Sequence, residues 1–330
     1  MARDGSGVHS LPAGYLAVTG QTVLPSNHNP PLEDLSAAIT ESIARTGVTA
    51  IVADIPFAGF RLTGLGDAQA DTDALNRQTA DDRYLYQGKG LLFGYTLSNN
   101  VADANNDIDI VAGVAKDDTG AVEIVLGSGL TKRLDGSWAV GTGNGGLDTG
   151  SKSINSSYHV FAIKRSDTGV VDSLLSLSAT APTMPASYDY KRRIGSILTN
   201  GSGNIIAFFQ KGDDFSIAPI TNYNSTANGA LITQALSVPL GIVVIPKLIS
   251  IMQQGTAGDA TVQVAPVGFS AGAYIVNQTN LASDRNGVSF EGPPTNTSAQ
   301  ILFVTTVASG TITTGQLSTR GWIDTRGRDA

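Results

Sequence analysis

The stretch Ile108–Ala115, IDIVAGVA, sets the reading of the chain. Its apolar residues fall at Ile108, Ile110, Ala112 and Val114, every second position, which is the period of a strand with one face against a core. Runs of the same kind recur from about residue 86 onward. AVEIVL places Val122, Ile124 and Leu126 in phase, ATVQVAPV does so with Val262 and Val264, and QILFVTTV with Ile301 and Phe303. YHVFAIK is apolar on both faces through Tyr158, Val160, Phe161 and Ile163, and NIIAFFQ and LISIMQ add two further short runs. Between them stand turn residues: Asp118-Thr119-Gly120, Asp167-Thr168-Gly169, Asn200-Gly201-Ser202-Gly203 and Asn286-Gly287. Many short strands without intervening helical patterns predict a mainly β chain whose residues 86–330 form an antiparallel β-sandwich of jelly-roll-like kind, with a division near residue 215 open.

The composition agrees. Only Glu33, Glu41, Glu123 and Glu291 are glutamate and the other acidic residues are aspartate, which favours caps and turns over helix interiors. A chain of 330 residues can bury a substantial core without staples, and with no cysteine it has neither disulfides nor thiolate chemistry. The 28 acidic and 21 basic side chains give a net charge of -7, which argues against a general nucleic-acid binder. The basic cluster Lys191-Arg192-Arg193 reads first as a solvated strand face or an intersubunit pairing, and second as a contact for an anionic partner. The opening MARDGSGVHSLPAG lacks an apolar core segment, and the longest apolar stretch, LGIVVIPKLISIM, is short and broken by Pro246 and Lys247. A soluble chain without membrane insertion is expected.

Residues 1–85 have a different texture. The first 30 form an arm of Gly, Ser, Pro, Asn and Thr, expected to be extended and to order against a partner. A helix over about 31–46 follows, opened by Pro30 and Pro31, with Glu33 and Asp34 in its first turn and Gly47 as the stop. Leu32, Leu35, Ile39 and Ile43 form one apolar stripe on it, to be buried within the chain or against other copies. A second short helix is predicted over about 72–84, capped by Asp71 or Asp73.

Three motifs suggest chemistry and fail on context. Trp138–Gly146, WAVGTGNGG, has the GxGxxG spacing, but LDTGSKSINSS follows where a dinucleotide fold needs the helix that holds the pyrophosphate. GFSAG fits the nucleophile elbow at Ser270, yet His9, His28 and His159 all lie upstream. DANNDIDI alternates Asp103, Asn105, Asp107 and Asp109 like a calcium loop, but Ile108 replaces the required glycine and Val114 the distal glutamate, so a solvated edge is expected. Paired carboxylates for glycoside cleavage could meet only in space. No catalytic residue, cofactor or metal is predicted, and the chain is read as a non-enzyme.

The segments VTGQTVLPSNHNPPLEDLSAAITESIARTG and IPFAGFRLTGLGDAQADTDALNRQTADDRYL resemble the N-terminal attachment region of fibre and spike proteins of tailed bacteriophages and phage-derived particles. LDGSWAVGTGNGGLDTGS and the following sequence through KGDDF resemble a β-domain of phage tail-fibre and virion structural proteins. Together they cover about residues 1–215. The resemblance implies a virion component made in the host cytoplasm. It would be anchored to capsid, portal or tail proteins through residues 1–50 and present a β-rich distal part to the host surface, usually as a homotrimer. A host surface glycan is the implied ligand, for which Trp138, Asn144 and Asp148 are the candidate contacts, with Trp322 a further ring to consider. Competing readings are a head decoration or adaptor with a docking role, and a polysaccharide depolymerase.

Overall fold

The computed structural model describes residues 90–269 and 274–328 throughout, together with 63–70, 73–76 and isolated earlier positions. The chain divides into two units, Met1–Asn76 and Arg77–Ala330. In the second, the alternating runs form nineteen strands among the described residues. The first ten are β1 (Leu92–Gly94), β2 (Leu97–Asn99), β3 (Asp107–Ile110), β4 (Gly113–Lys116), β5 (Glu123–Leu126), β6 (Leu130–Ser137), β7 (Asn144–Leu147), β8 (Ser157–Arg165), β9 (Val171–Ser176) and β10 (Tyr188–Leu198). The others are β11 (Phe208–Lys211), β12 (Asp214–Ser225), β13 (Ile232–Ala235), β14 (Ile245–Thr256), β15 (Ala260–Ala265), β16 (Tyr274–Thr279), β17 (Arg285–Glu291), β18 (Gln300–Val307) and β19 (Thr311–Ile323).

The chain is mainly β and sandwich-like, as its alternation predicts. Strands up to β10 build a three-stranded sheet, β1-β4-β5, and a seven-stranded one, β10-β8-β9-β7-β6-β3-β2. Later strands build a five-stranded sheet, β11-β12-β19-β14-β17, and a four-stranded one, β13-β18-β15-β16. No strand crosses between the two pairs of sheets, but one apolar cluster runs through both, from Ile124 and Val160 to Leu248 and Phe303. At the junction Phe215 stacks on Trp322 with ring centroids 5.3 Å apart, and Leu97 packs over Gly195. Trp322 is therefore a core residue, 1% exposed, and not a ring offered to a ligand. Pairing is antiparallel throughout except at β7, which runs parallel to both β6 and β9.

IDIVAGVA itself is two strands, β3 and β4, in different sheets. Ile108 and Ile110 are buried, Val111 is exposed at the break, and after it the buried residue is Ala115, so the inward phase slips by one. The partner segment, β1 and β2, bends at the same level. Leu92 pairs with Ala115 and Gly94 with Gly113 on one side of the bend, and Leu97 with Ile110 and Asn99 with Ile108 on the other. The register is unbroken, so the four strands are one two-stranded ribbon folded over a corner. Gly94 (φ +72°) and Gly113 make the corner possible: a Cβ on Gly94 would lie 2.3 Å from the Ala112 carbonyl oxygen, and one on Gly113 2.5 Å from the Tyr95 nitrogen. Tyr95, at φ 51°, turns its buried ring inward and donates its hydroxyl to Ile124 O at 3.2 Å.

Two further expectations need correction. Asn286-Gly287 is not a turn but lies inside β17, where an edge strand with alternate residues in solvent tolerates a glycine; the turn comes just before, near Ser283. β3, which carries Asp107 and Asp109, is not a sheet edge, because β2 and β6 flank it. In the first unit Pro30, Leu32, Glu33 and Leu35 are helical, with Leu32 and Leu35 exposed, while Ile39, Ile43 and most of the predicted second helix lie outside the described residues. Asp73–Asn76 are described and not helical, the Asp73 carboxylate accepting the amides of Gln69 and Ala70 in a turn, while Ala80 is helical.

Replacing Gly94 with valine sets a Cβ against backbone at a left-handed φ, and is expected to cost about 3 kcal/mol. The denaturant midpoint should fall at unchanged m-value; a midpoint equal to wild type would mean that the corner is not a fixed point of the fold.

Candidate functional site

WAVGTGNGG joins β6 to β7, two neighbouring parallel strands, in a span far shorter than the dozen or more residues such connections ordinarily need. The loop folds back along β6, with Trp138 N donating to Leu147 O, Ala139 N to Gly145 O and Gly143 N to Thr131 O. Its interior is filled by the ammonium of Lys132. That group donates to Ala139 O (2.7 Å) and Gly141 O (3.0 Å) and sits 2.8 Å from Asp172 Oδ1, using all three of its donors. Asp172, on β9, returns the contact by accepting Gly141 N at 2.7 Å through Oδ2. The two side chains are 0% and 1% exposed. Burial lowers the Lys132 pKa, and the Asp172 carboxylate opposes that shift.

Each glycine of the motif has a structural reason. Gly141 and Gly143 take left-handed φ, and a Cβ on Gly146 would meet Leu175 Cδ1 at 2.1 Å and Lys132 Cβ at 3.1 Å. The spacing serves a strand crossover built round a cation, and no helix follows it.

The three candidate glycan contacts lie along this loop, and each makes an intramolecular bond. Trp138 is half-buried; its Nε1 donates to Ser173 O at 3.0 Å, its ring meets Tyr188 edge-on at 5.2 Å, and the Lys132 ammonium lies 5.4 Å from its centre. Asn144 is exposed and donates back to Val140 O at 2.7 Å. Asp148 accepts the amides of Thr149 and Thr183 at 2.7 and 3.0 Å. The aspartates of DANNDIDI do not converge: Asp103 accepts Asn106 Nδ2, while Asp109 accepts Asn100 Nδ2 and the Thr131 hydroxyl. Among the described residues no group of three or more carboxylates or histidines is placed to hold a metal, and no helix is long and apolar enough to cross a membrane. Ser270 lies outside the described residues.

The reading of the basic triplet as a solvated strand face is the expectation that fails most. Lys191-Arg192-Arg193 lies on the edge strand β10 but is folded into the protein, beside a cleft of about 520 Å³. Lys191 pairs with Asp118, and Arg193 forks Asp324, with Nη1 to Oδ2 at 2.5 Å and Nη2 to Oδ1 at 2.8 Å. Arg326 binds Asp213 through Nε and Nη2, and Arg328 binds the same carboxylate. Arg192 is 2% exposed, and its Nε and Nη2 have no hydrogen-bond partner among the described residues. Burial lowers its pKa, Asp118 opposes this and Arg193 adds to it. A register shift between Arg193 and Gly195 turns the strand at this point. His159, on the neighbouring β8, holds Ser196 Oγ at 2.9 Å and lies behind Gly241 of the cleft wall.

Two measurements follow. Asp172→Asn and Lys132→Met each strand a buried partner and should cost about 3 kcal/mol, while the double variant should cost well under the sum of the two; additive losses would show that the pair is not coupled. Burial, then Arg193, pull the His159 pKa down from 6.5 to about 4. The unfolded chain thus binds the extra proton between those values, and stability falls as pH drops from about 6.5 to 4, by roughly 3 kcal/mol from this group. Urea midpoints of wild type and His159→Gln should converge at pH 4 relative to pH 7; parallel curves would contradict the assignment.

No family model and no curated protein matches the chain. Among solved structures, one titled "Structure of infectious bursal disease virus Gx strain" matches over 69% of this chain and 70% of its own, at 13% identity and a TM-score of 0.20.

Proposed function

We propose that this chain is a structural component of a virion or phage-derived particle. In this reading it is a fibre or spike anchored through residues 1–50, with its β-rich unit turned to the host surface. The sequence resemblance over about residues 1–215 motivates it. The observation that supports self-association, and with it the homotrimer that the resemblance implies, is where the large apolar side chains are exposed. Phe93 (76%), Phe209 (66%) and Ile275 (59%) stand on β1, β11 and β16, each the outermost strand of its sheet. Strand edges bearing uncovered aromatic and branched side chains are aggregation sites unless a neighbour covers them, and neighbouring copies in a symmetric assembly would do so. The side chains of the glycine loop are spent on internal bonds, which supports a scaffold role over a catalytic one.

The purified full chain is expected to sediment at three times its 34.0 kDa mass, and Phe209→Asp combined with Ile275→Asp to shift it toward the monomer. A wild-type chain that sediments as a monomer would remove the trimer. Imaging of whole particles should find residues 1–50 against another virion protein, and a chain absent from the particle would remove the virion role altogether.

A further inference from the structure

We infer that the cleft beside Arg192 is a binding site for a small carboxylated organic anion of monosaccharide size, such as a uronate sugar. The observation is an imbalance of charge in a buried place. Five cations, Lys191, Arg192, Arg193, Arg326 and Arg328, gather at this end of the second unit. Among the described residues three carboxylates answer them: Asp118, Asp213 and Asp324. Four of the cations are paired, and the fifth, Arg192, lines the cleft with no carboxylate bound to it among the described residues. Nη1 of Arg326, which also lines the cleft, is a second buried donor without a hydrogen-bond partner among the described residues. A buried guanidinium left unpaired is costly, and in a chain of net charge -7 such a group is out of keeping with the overall balance. A bound oxyanion would complete it, since a guanidinium edge matches the two oxygens of a carboxylate.

Size and lining argue for an organic anion over a bare ion. About 520 Å³ exceeds what one small anion fills, and is within the range of small-molecule sites. Phe161, Ile242 and Val243 add apolar residues to its lining, and the exposed Thr180 and Thr297 line it as well. A charged carboxylate at Arg192, a ring face against the apolar residues and ring hydroxyls near the threonines together describe an acidic sugar. The host-surface source of such a sugar rests on the proposed function; the chemistry of the site does not.

Calorimetric titration of the full chain with glucuronate, glucose and inorganic phosphate tests this. Glucuronate should bind, at least tenfold more tightly than either glucose or phosphate. It should also raise the melting temperature, and binding should weaken as salt is raised. Arg192→Gln should reduce the affinity at least tenfold. Because Arg192 is buried and its variant can misfold, Val243→Trp provides the second arm: Val243 is 59% exposed on the cleft wall, and an indole there should block entry with the same loss. Glucuronate without effect, phosphate binding equally well, or an affinity untouched in a folded Val243→Trp protein would each overturn the site. Glucuronate binding that needs Arg192, in a chain whose cleft is covered in the assembled particle, would overturn the surface-glycan source while the proposed virion role stood.

Discussion

The Lys132–Asp172 pair holds the centre of the largest sheet. β7, the middle strand of seven, is four residues long and meets β9 through a single paired position, Leu147 with Leu175. On its own it would be a weak seam between β10-β8-β9 on one side and β6-β3-β2 on the other. Lys132 projects from β6 and Asp172 from β9, so the ion pair bridges the strands on either side of β7 and binds the crossover loop as well. The bridge is possible because Gly146 leaves β7 without a side chain against Lys132, whereas Gly145 lets β7 close on the backbone of Gly136 and Ser137. Desolvating two charges is expensive, and here every donor of the ammonium is answered, which is the condition under which such a pair is tolerated in an interior.

Most of the fold could be read from period alone. Val262 and Val264, Ile301 and Phe303, and Ile124 and Leu126 all point inward as their alternation requires, and YHVFAIK, apolar on both faces, is a strand buried on both faces. The antiparallel expectation missed β7 because a strand of sequence NGGL has almost no side chains to carry a pattern. The sheet corner in IDIVAGVA was hidden because a bend alters the phase of burial without altering the alternation of residue types. Gly94 and Gly113, facing each other at the bend, were its only trace.

The charged residues were harder to read, for a physical reason. Lys132 shares the face of Leu134 in LTKRLDGS, a parity that marks it as inward, but a lysine is buried only when a partner far along the chain, here Asp172, meets it. Likewise KRR has the composition of a solvated face. Its burial depends on Asp118 from the β4–β5 turn and Asp324 beyond β19, 73 and 131 residues away. Local sequence carries no record of such meetings. The GxGxxG glycines of WAVGTGNGG, by contrast, were visible as a feature and resisted a nucleotide reading because of what followed them.

The bent ribbon of β1–β4 also constrains how this protein can vary. Because one continuous ladder passes through the corner into two layers, a residue inserted in one limb would invert the faces of everything beyond it, placing Leu97 or Ile108 in solvent. Lengthening is tolerated only if the opposite limb gains a residue at the same level or a bulge absorbs it. The two layers are therefore stitched by a seam whose length is fixed from both sides, and diversification is left to the turns and the outer strands.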